Sequence, residues 1–359
     1  MFDFLKKTVY GSLFLLLFGG CVLLPIENGR NETPSPEANA CGADRLQSFR
    51  KPPLSLALSF ENKLDLVSQN REEKELGQSV LFSAMPPRLG KERNRVAYTV
   101  RKVTYISMGA SGKEVHAFFY RPLWRRHPPA IVILPITNGD YFTEHFAEFL
   151  ADQGFAILRY ESRGEFDGTL PRILSGKVIL QRLKDQFYAY VVDVLHGIDW
   201  LESEPRIDRN RIGIFGISQG AIVGSVVAGI DSRIRSGVFI LGGGDLAGIL
   251  SSTEEQRLAQ IRNRILSSGE FSRESFSQEA EALFSFVDPL TYAKCIQPSA
   301  TLLVDARFDR VIRPAYAELL WEKMGKPPRI QLPAGHYTAG LFLPYIRFET
   351  LRHFQSTLG

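Results

Sequence analysis

The sequence predicts an α/β protein, a mostly parallel sheet covered on both faces by helices, with a helical cap inserted in its C-terminal half. Three observations carry that prediction. Residues 100–107 and 114–120 alternate apolar and polar side chains, as half-buried antiparallel strands do. From residue 130 onward, short continuous apolar runs alternate with segments of helical length, the pattern of strands buried on both faces by crossover helices. The segment 246–292, between two core strands, exceeds an ordinary connection and reads as an inserted helical cap.

The elements follow in order. The run 130–135 (AIVILP) is the first fully buried strand, 143–153 a helix, and 155–160 a second buried strand. Apolar side chains at Tyr188, Val191, Val192, Leu195 and Ile198 define one face of a helix over 180–203. A strand at 212–215, a helix at 221–229 and a strand at 237–241 come next, then a helical region over 246–286. Strand 300–304, helix 314–324, strand 329–332 and helix 338–354 complete the chain. No internal repeat is visible.

At 359 residues the chain can bury one large core, with or without a small appendage. Its 44% hydrophobic and 23% charged residues exclude a disordered, collagen-like or multi-spanning membrane protein. The net charge of +4 is small, and acidic residues interrupt the basic stretches, so no nucleic-acid footprint emerges. The 25 phenylalanines read as core filling.

Lys6 and Lys7 precede a short apolar stretch, 9–18, that is too short to span a bilayer comfortably, which predicts a signal peptide over 1–20. It ends in Phe18-Gly19-Gly20-Cys21, which resembles a bacterial lipobox, although Phe18 stands where leucine is commoner. The resemblance implies acylation of Cys21, attachment to the membrane through that lipid, and a place in the bacterial cell envelope. An ordinary signal peptide, or an uncleaved anchor extended by Val22-Leu23-Leu24, is the alternative. Residues 21–44 read as a flexible tether, 45–95 as an N-terminal extension, and 96–359 as the main domain, with the cap at about 246–292. Cys41 and Cys295 leave two readings open, a disulfide from tail to body or two buried thiols.

The candidate chemistry centres on Gly216-Ile217-Ser218-Gln219-Gly220. Three fixed residues in five are a weak signal alone, and Ser218 could simply cap a helix. Here, however, the strand 211–215 precedes the motif and a helix opens at Ala221. That is the strand-to-helix turn on which a nucleophile is presented above a sheet. A serine hydroxyl needs a base, and the base needs an orienting carboxylate. His116, His145, His196 and His353 fall in strands or helices, and His127 lies beside Pro128 in a turn. His336 follows the last strand in Pro333-Ala334-Gly335-His336, on the same sheet edge as Ser218. Both Asp305 and Asp309 lie past strand 300–304; Asp309, deeper in the loop, is preferred as the acid, and Asp305 is expected to hold the loop through backbone hydrogen bonds.

The order Ser218, Asp309, His336, with Arg159-Tyr160-Glu161-Ser162-Arg163-Gly164 after the second buried strand, resembles the α/β-hydrolase superfamily over about residues 96–357. The dienelactone-hydrolase-like and prolyl-oligopeptidase-like branches are the most similar. The resemblance implies that Ser218 attacks a carbonyl, that His336 serves as base and then acid, and that Asp309 orients it. It also implies an oxyanion hole with one donor from the backbone N–H of Gln219. Where many members carry His-Gly, this chain has Leu134-Pro135-Ile136-Thr137-Asn138-Gly139, and Pro135 has no N–H, so Ile136 is the favoured second donor over Thr137.

No cluster has metal-ligand spacing, and Gly242-Gly243-Gly244-Asp245 lacks the spacing of a dinucleotide loop, so no metal or cofactor is implied. The implied partner is a small ester or acyl compound. Leu246, Leu250, Leu258, Ile261, Ile265, Phe271, Phe276, Leu283 and Phe286 of the cap are expected to wall an apolar acyl pocket. A peptidase and a catalytically silent surface-anchored binding protein are the rival readings.

Overall fold

The continuous apolar runs become the centre of one sheet. The structure, a computed structural model, describes Leu46, Phe49 and residues 88–89, 93–94, 97–107, 109, 113–137, 139–162 and 174–359. The expectations for the signal peptide, Cys21, the tether and Arg163-Gly164 lie outside these residues, as does most of 45–95.

The strands are β1 (Arg88–Leu89), β2 (Arg93–Asn94), β3 (Tyr98–Ile106), β4 (Glu114–Pro122) and β5 (Pro129–Leu134). They continue with β6 (Ala156–Tyr160), β7 (Asp208–Ile217), β8 (Ile234–Ile240), β9 (Thr301–Ala306) and β10 (Arg329–Leu332). Their spatial order is β1-β3-β4-β6-β5-β7-β8-β9-β10, with β2 paired to β3. The alternating strands β3 and β4 are antiparallel, as is β4 against β6; from β6 to β10 every pair is parallel. β5, β6 and β9 are buried along their whole lengths because helices cover both of their faces.

Helix α1 (Tyr141–Asp152) follows β5, α2 (Gly176–Ser203) follows β6, and α3 (Gln219–Ile230) follows β7. Between β8 and β9 lie α4 (Leu246–Ser252), α5 (Gln256–Ser267), α6 (Arg273–Phe284) and the short α7 (Pro289–Tyr292). α8 (Pro314–Lys323) and α9 (Leu343–Leu358) finish the chain. The core divides by sheet face. Side chains of α2 to α6 and α8 pack in one cluster, and those of α1 and α9 in the other. Because β6 lies on one side of β5 and β7 on the other, the helices after β5 and β7 leave the sheet edge on opposite faces. That divergence opens a crevice beyond the C-terminal ends of these strands.

Two expectations change in detail. The helical region 246–286 is three helices, because Asp245, Glu255 and Ser272 each accept a backbone N–H three residues on and start a new helix. The final segment opens as a 3₁₀ turn, Thr338–Phe342, before α9, whose Pro344 is tolerated only in a first turn. Phe49 is buried against Tyr188, Phe286 and Tyr292, and the Tyr188 hydroxyl donates to its carbonyl at 2.8 Å. Cys295 is disulfide-bonded, its partner lying outside the described residues. Among the described residues no helix is long and apolar enough to cross a membrane.

Candidate active site

Ser218 sits between the end of β7 and the first residue of α3, at φ 55° and ψ −117°. A non-glycine residue rarely adopts positive φ, so the surrounding turn must impose it. Two glycines explain how. A Cβ on Gly216 would come within 2.1 Å of the Gly220 carbonyl oxygen, and one on Gly220 would meet the Pro135 and Leu134 oxygens at 2.8 and 2.9 Å. Only hydrogen at both positions lets the turn close this tightly beside the loop after β5. The Ser218 N–H donates to the Ile240 carbonyl at 2.8 Å, tying the turn to β8.

Although Ser218 occupies the N-cap position of α3, its side chain makes no capping hydrogen bond. The hydroxyl faces His336 instead, with Oγ 2.9 Å from Nε2. His336 Nδ1 lies 2.7 Å from Asp309 Oδ2; the Asp309 side chain is buried and that of His336 is partly buried. The other Asp309 oxygen, Oδ1, accepts the backbone N–H groups of Val311 at 2.8 Å and Ile312 at 3.0 Å, which fixes the carboxylate plane. The structure therefore brings Ser218, His336 and Asp309 into one hydrogen-bonded row.

Asp305 departs from expectation. It is part of β9, buried, and accepts from Arg329 Nε at 2.6 Å rather than from loop backbone. Arg329 stands two residues before Gln331, the β10 residue in register with Asp305, so its guanidinium lies diagonally across the parallel pair β9–β10, and a buried carboxylate takes a charged partner over a neutral one. Burial works against the charge on Arg329, but Glu318 and Asp305 more than offset it and raise the guanidinium above its ordinary value. The other histidines serve elsewhere. His353, for example, bridges Ser236 Oγ and the Ala300 carbonyl, each at 3.2 Å, and burial lowers its pKa to about 4.

Gln219 and Ile136 both line the cavity at Ser218. As the first residue of α3, Gln219 has an N–H with no acceptor inside its helix. The Ile136–Thr137 loop is braced in a way the sequence reading missed. Asp140 accepts the Ser162 N–H at 2.9 Å and pairs with buried Arg159 at 3.3 Å, while Ser162 Oγ donates to the Thr137 carbonyl at 3.2 Å. A carboxylate just before a helix suggests only a cap, so sequence offered no signal for this brace. The glycines 242–244 lead into α4, with Asp245 left-handed and capping it through Gly248 N–H at 2.8 Å.

The cavity has a volume of about 250 Å³. Of the nine cap side chains expected to wall it, Leu246, Leu250 and Leu258 do so. Ile261, Ile265 and Phe276 are buried in the core instead, Phe271 and Leu283 pack against that core, and Phe286 stacks on Phe49. The reason is that α5 and α6 use their apolar stripes to dock onto α2 and α4. Walls that the sequence did not reveal come from i, i+4 pairs, Phe142 and Phe146 on α1 and Leu183 and Phe187 on α2. Their spacing marks a helix face, but only the topology says what that face meets. Among the described residues no group of His, Cys, Asp and Glu is placed to hold a metal ion.

The family model "BAAT / Acyl-CoA thioester hydrolase C terminal" matches residues 195–295, less than a third of the chain, including the Ser218 turn. A search of curated proteins returns no match. Among solved structures, an acetyl xylan esterase from Paenibacillus sp. R4 is 16% identical, with a TM-score of 0.60 over 88% of this chain and 100% of that one. Acetyl xylan esterase 1 from Thermoanaerobacterium sp. JW/SL YS485 is 18% identical, with a TM-score of 0.58 over 86% and 98%. An acylaminoacyl peptidase from Pyrococcus horikoshii is 18% identical, with a TM-score of 0.53 over 73% of this chain and 42% of that one. At these identities the likeness establishes the architecture, and with the strand order, the tight serine turn and the matched region it shows that this chain has the α/β-hydrolase fold.

Proposed function

We propose that the protein is a serine hydrolase that cleaves carboxylic esters or related acyl compounds through an acyl-enzyme. The observation that carries this is the row Ser218 Oγ, His336 Nε2, His336 Nδ1 and Asp309 Oδ2, with steps of 2.9 and 2.7 Å. In the first half-reaction His336 Nε2 takes the hydroxyl proton as Ser218 Oγ attacks the carbonyl carbon. The proton then passes to the leaving oxygen, and the alcohol departs with it. In the second half-reaction His336 takes a proton from water, hydroxide attacks the acyl carbon, and the proton returns to Ser218 as the acid leaves. Asp309 holds Nδ1–H and stabilises the imidazolium. The N–H groups of Gln219 and Ile136 receive the oxyanion in both halves.

An ester, not a large peptide, suits a cavity of about 250 Å³ walled mainly by aliphatic and aromatic side chains. Among the described lining residues there is no Lys or Arg, so this cavity offers no counter-ion to a phosphate or carboxylate group. A panel of p-nitrophenyl esters supplied to wild type and Ser218→Ala tests the proposal. Turnover by wild type and its loss in the variant are expected; no turnover, with no fluorophosphonate labelling of Ser218, would show a silent fold, and cleavage of acyl-peptides in preference to every ester would favour the peptidase reading.

The N-terminal sequence supports a further part of this reading, that the hydrolase is exported and held on the envelope by acylation at Cys21. Cys21→Ala is then expected to move the protein from the membrane fraction to the soluble one, and an unchanged distribution would contradict the anchor.

A further inference from the structure

The cavity at Ser218 draws its walls from both faces of the sheet. Leu183, Ile222, Leu246 and Phe284 belong to the core cluster under α2 to α6, whereas Phe146, Ala339 and Ile346 belong to the cluster under α1 and α9. These clusters are separated by the sheet itself, so one cavity lined by both must cross its C-terminal edge, where Ser218 stands. From this, and resting on the hydrolase reading above, we infer that the site is two-lobed and takes a neutral ester with an apolar group on each side of the scissile bond. The acyl group enters the lobe beneath α4 to α6, and the alcohol the lobe between α1 and α9.

Chemistry assigns the sides. The leaving oxygen must receive its proton from His336 Nε2, so the alcohol lies toward the His336 loop. That loop continues into Ala339 and Gly340, which line the α1–α9 lobe; a Cβ on Gly340 would touch the Phe142 ring at 3.6 Å. The acyl carbon stays on Ser218 at the start of α3, and Ile222, one turn along α3, faces the other lobe with Phe187 and Phe284, whose rings pack edge-to-face at 6.3 Å.

Charge argues in the same direction. Glu255 is the one acidic side chain among the described lining residues, and its carboxylate accepts the Leu258 N–H as the cap of α5. Its charge disfavours an anionic substrate, and no cation balances it within the lining. Size sets the class. A cavity of ~150 Å³ takes benzene, so one of about 250 Å³ holds roughly ten non-hydrogen atoms, the size of butyl butanoate.

Two substrate series on the full-length protein test the inference. One varies the acyl chain of ethyl esters, and the other varies the alcohol of alkyl butanoates. For wild type, kcat/KM is expected to rise about fourfold per added methylene in both series until each lobe is full. Phe187→Ala is expected to move the plateau of the acyl series to longer chains and leave the alcohol series in place. Phe142→Ala is expected to do the reverse. Leu183→Ala and Ile346→Ala read the same lobes should either phenylalanine variant not fold. The inference is overturned if wild type turns over esters but both variants shift the same series, if neither shifts any, or if acetates of polar alcohols are the best substrates. An inactive wild type that fluorophosphonate does not label is a different result, and it defeats the hydrolase reading itself.

Discussion

Replacing Asp309 by asparagine is expected to disable the protein without unfolding it, and the reason lies in the two ends of the carboxylate. Oδ1 accepts two backbone N–H groups, from Val311 and Ile312, while Oδ2 accepts His336 Nδ1–H. An asparagine must keep its carbonyl oxygen toward the two backbone donors, because turning its NH₂ there would set donor against donor twice. The NH₂ therefore faces Nδ1, which must become an acceptor, and the ring proton moves to Nε2. Nε2–H then donates to Ser218 Oγ and cannot take its proton. Locking the base in the wrong tautomer costs ~10⁴-fold in kcat where it has been measured in a serine protease, or about 5.4 kcal/mol in the barrier. The assay is steady-state hydrolysis of a p-nitrophenyl ester near neutral pH, with a thermal melt as the folding control. A loss of less than tenfold in Asp309→Asn, or a larger loss of kcat in Asp305→Asn, would refute the reasoning.

Three further substitutions probe the serine turn, the buried ion pair and the response to acid. Gly220→Ala drives a methyl group into the Pro135 and Leu134 carbonyl oxygens, so the loop bearing Ile136 must shift; kcat is expected to fall ~10²–10³-fold, as for loss of one oxyanion donor, and a wild-type rate would contradict the tight turn. Asp305→Asn removes the charge partner of a buried guanidinium that keeps only Glu318, so chemical denaturation is expected to show a loss of about 3 kcal/mol with kcat per folded molecule unchanged. His353 is held neutral because burial lowers its pKa from 6.5 to about 4, so the folded state binds its proton less readily than the unfolded state. Its contribution is therefore full above about pH 6.5 and lost as pH falls toward 4, and wild type is expected to lose roughly 2 kcal/mol more than His353→Gln between pH 7.5 and 4.5; parallel acid curves would exclude this.

Much of the fold was legible because burial on both faces of a parallel sheet leaves a direct trace. The runs at 130–135, 155–160 and 300–304 are apolar at nearly every position, and each became a buried strand. The chain order Ser218, Asp309, His336 was legible because Ser218 directly follows a strand and Asp309 and His336 lie in the loops just after two others on the same sheet edge, and the structure brings all three together. Choosing between Asp305 and Asp309 rested on loop depth. The actual discriminator is the cross-strand Arg329, which claims Asp305 and which no local pattern ties to it. The cavity walls were the least legible part. An apolar stripe on a helix looks the same whether it docks on another helix, as on α5 and α6, or faces an empty crevice, as at Phe142 and Phe187. The brace of Asp140, Arg159 and Ser162 joins residues about twenty positions apart through one carboxylate, a contact without periodicity.

Ser218 is proposed to carry the acyl group during turnover, and the most direct measurement of this is the mass of the protein trapped with a slowly hydrolysed p-nitrophenyl ester. A burst of one equivalent of p-nitrophenol is expected, with one acyl group on the peptide containing Ser218 and none in Ser218→Ala. An acyl group found on another residue, or turnover without any acylated protein and with Ser218→Ala still active, would contradict it.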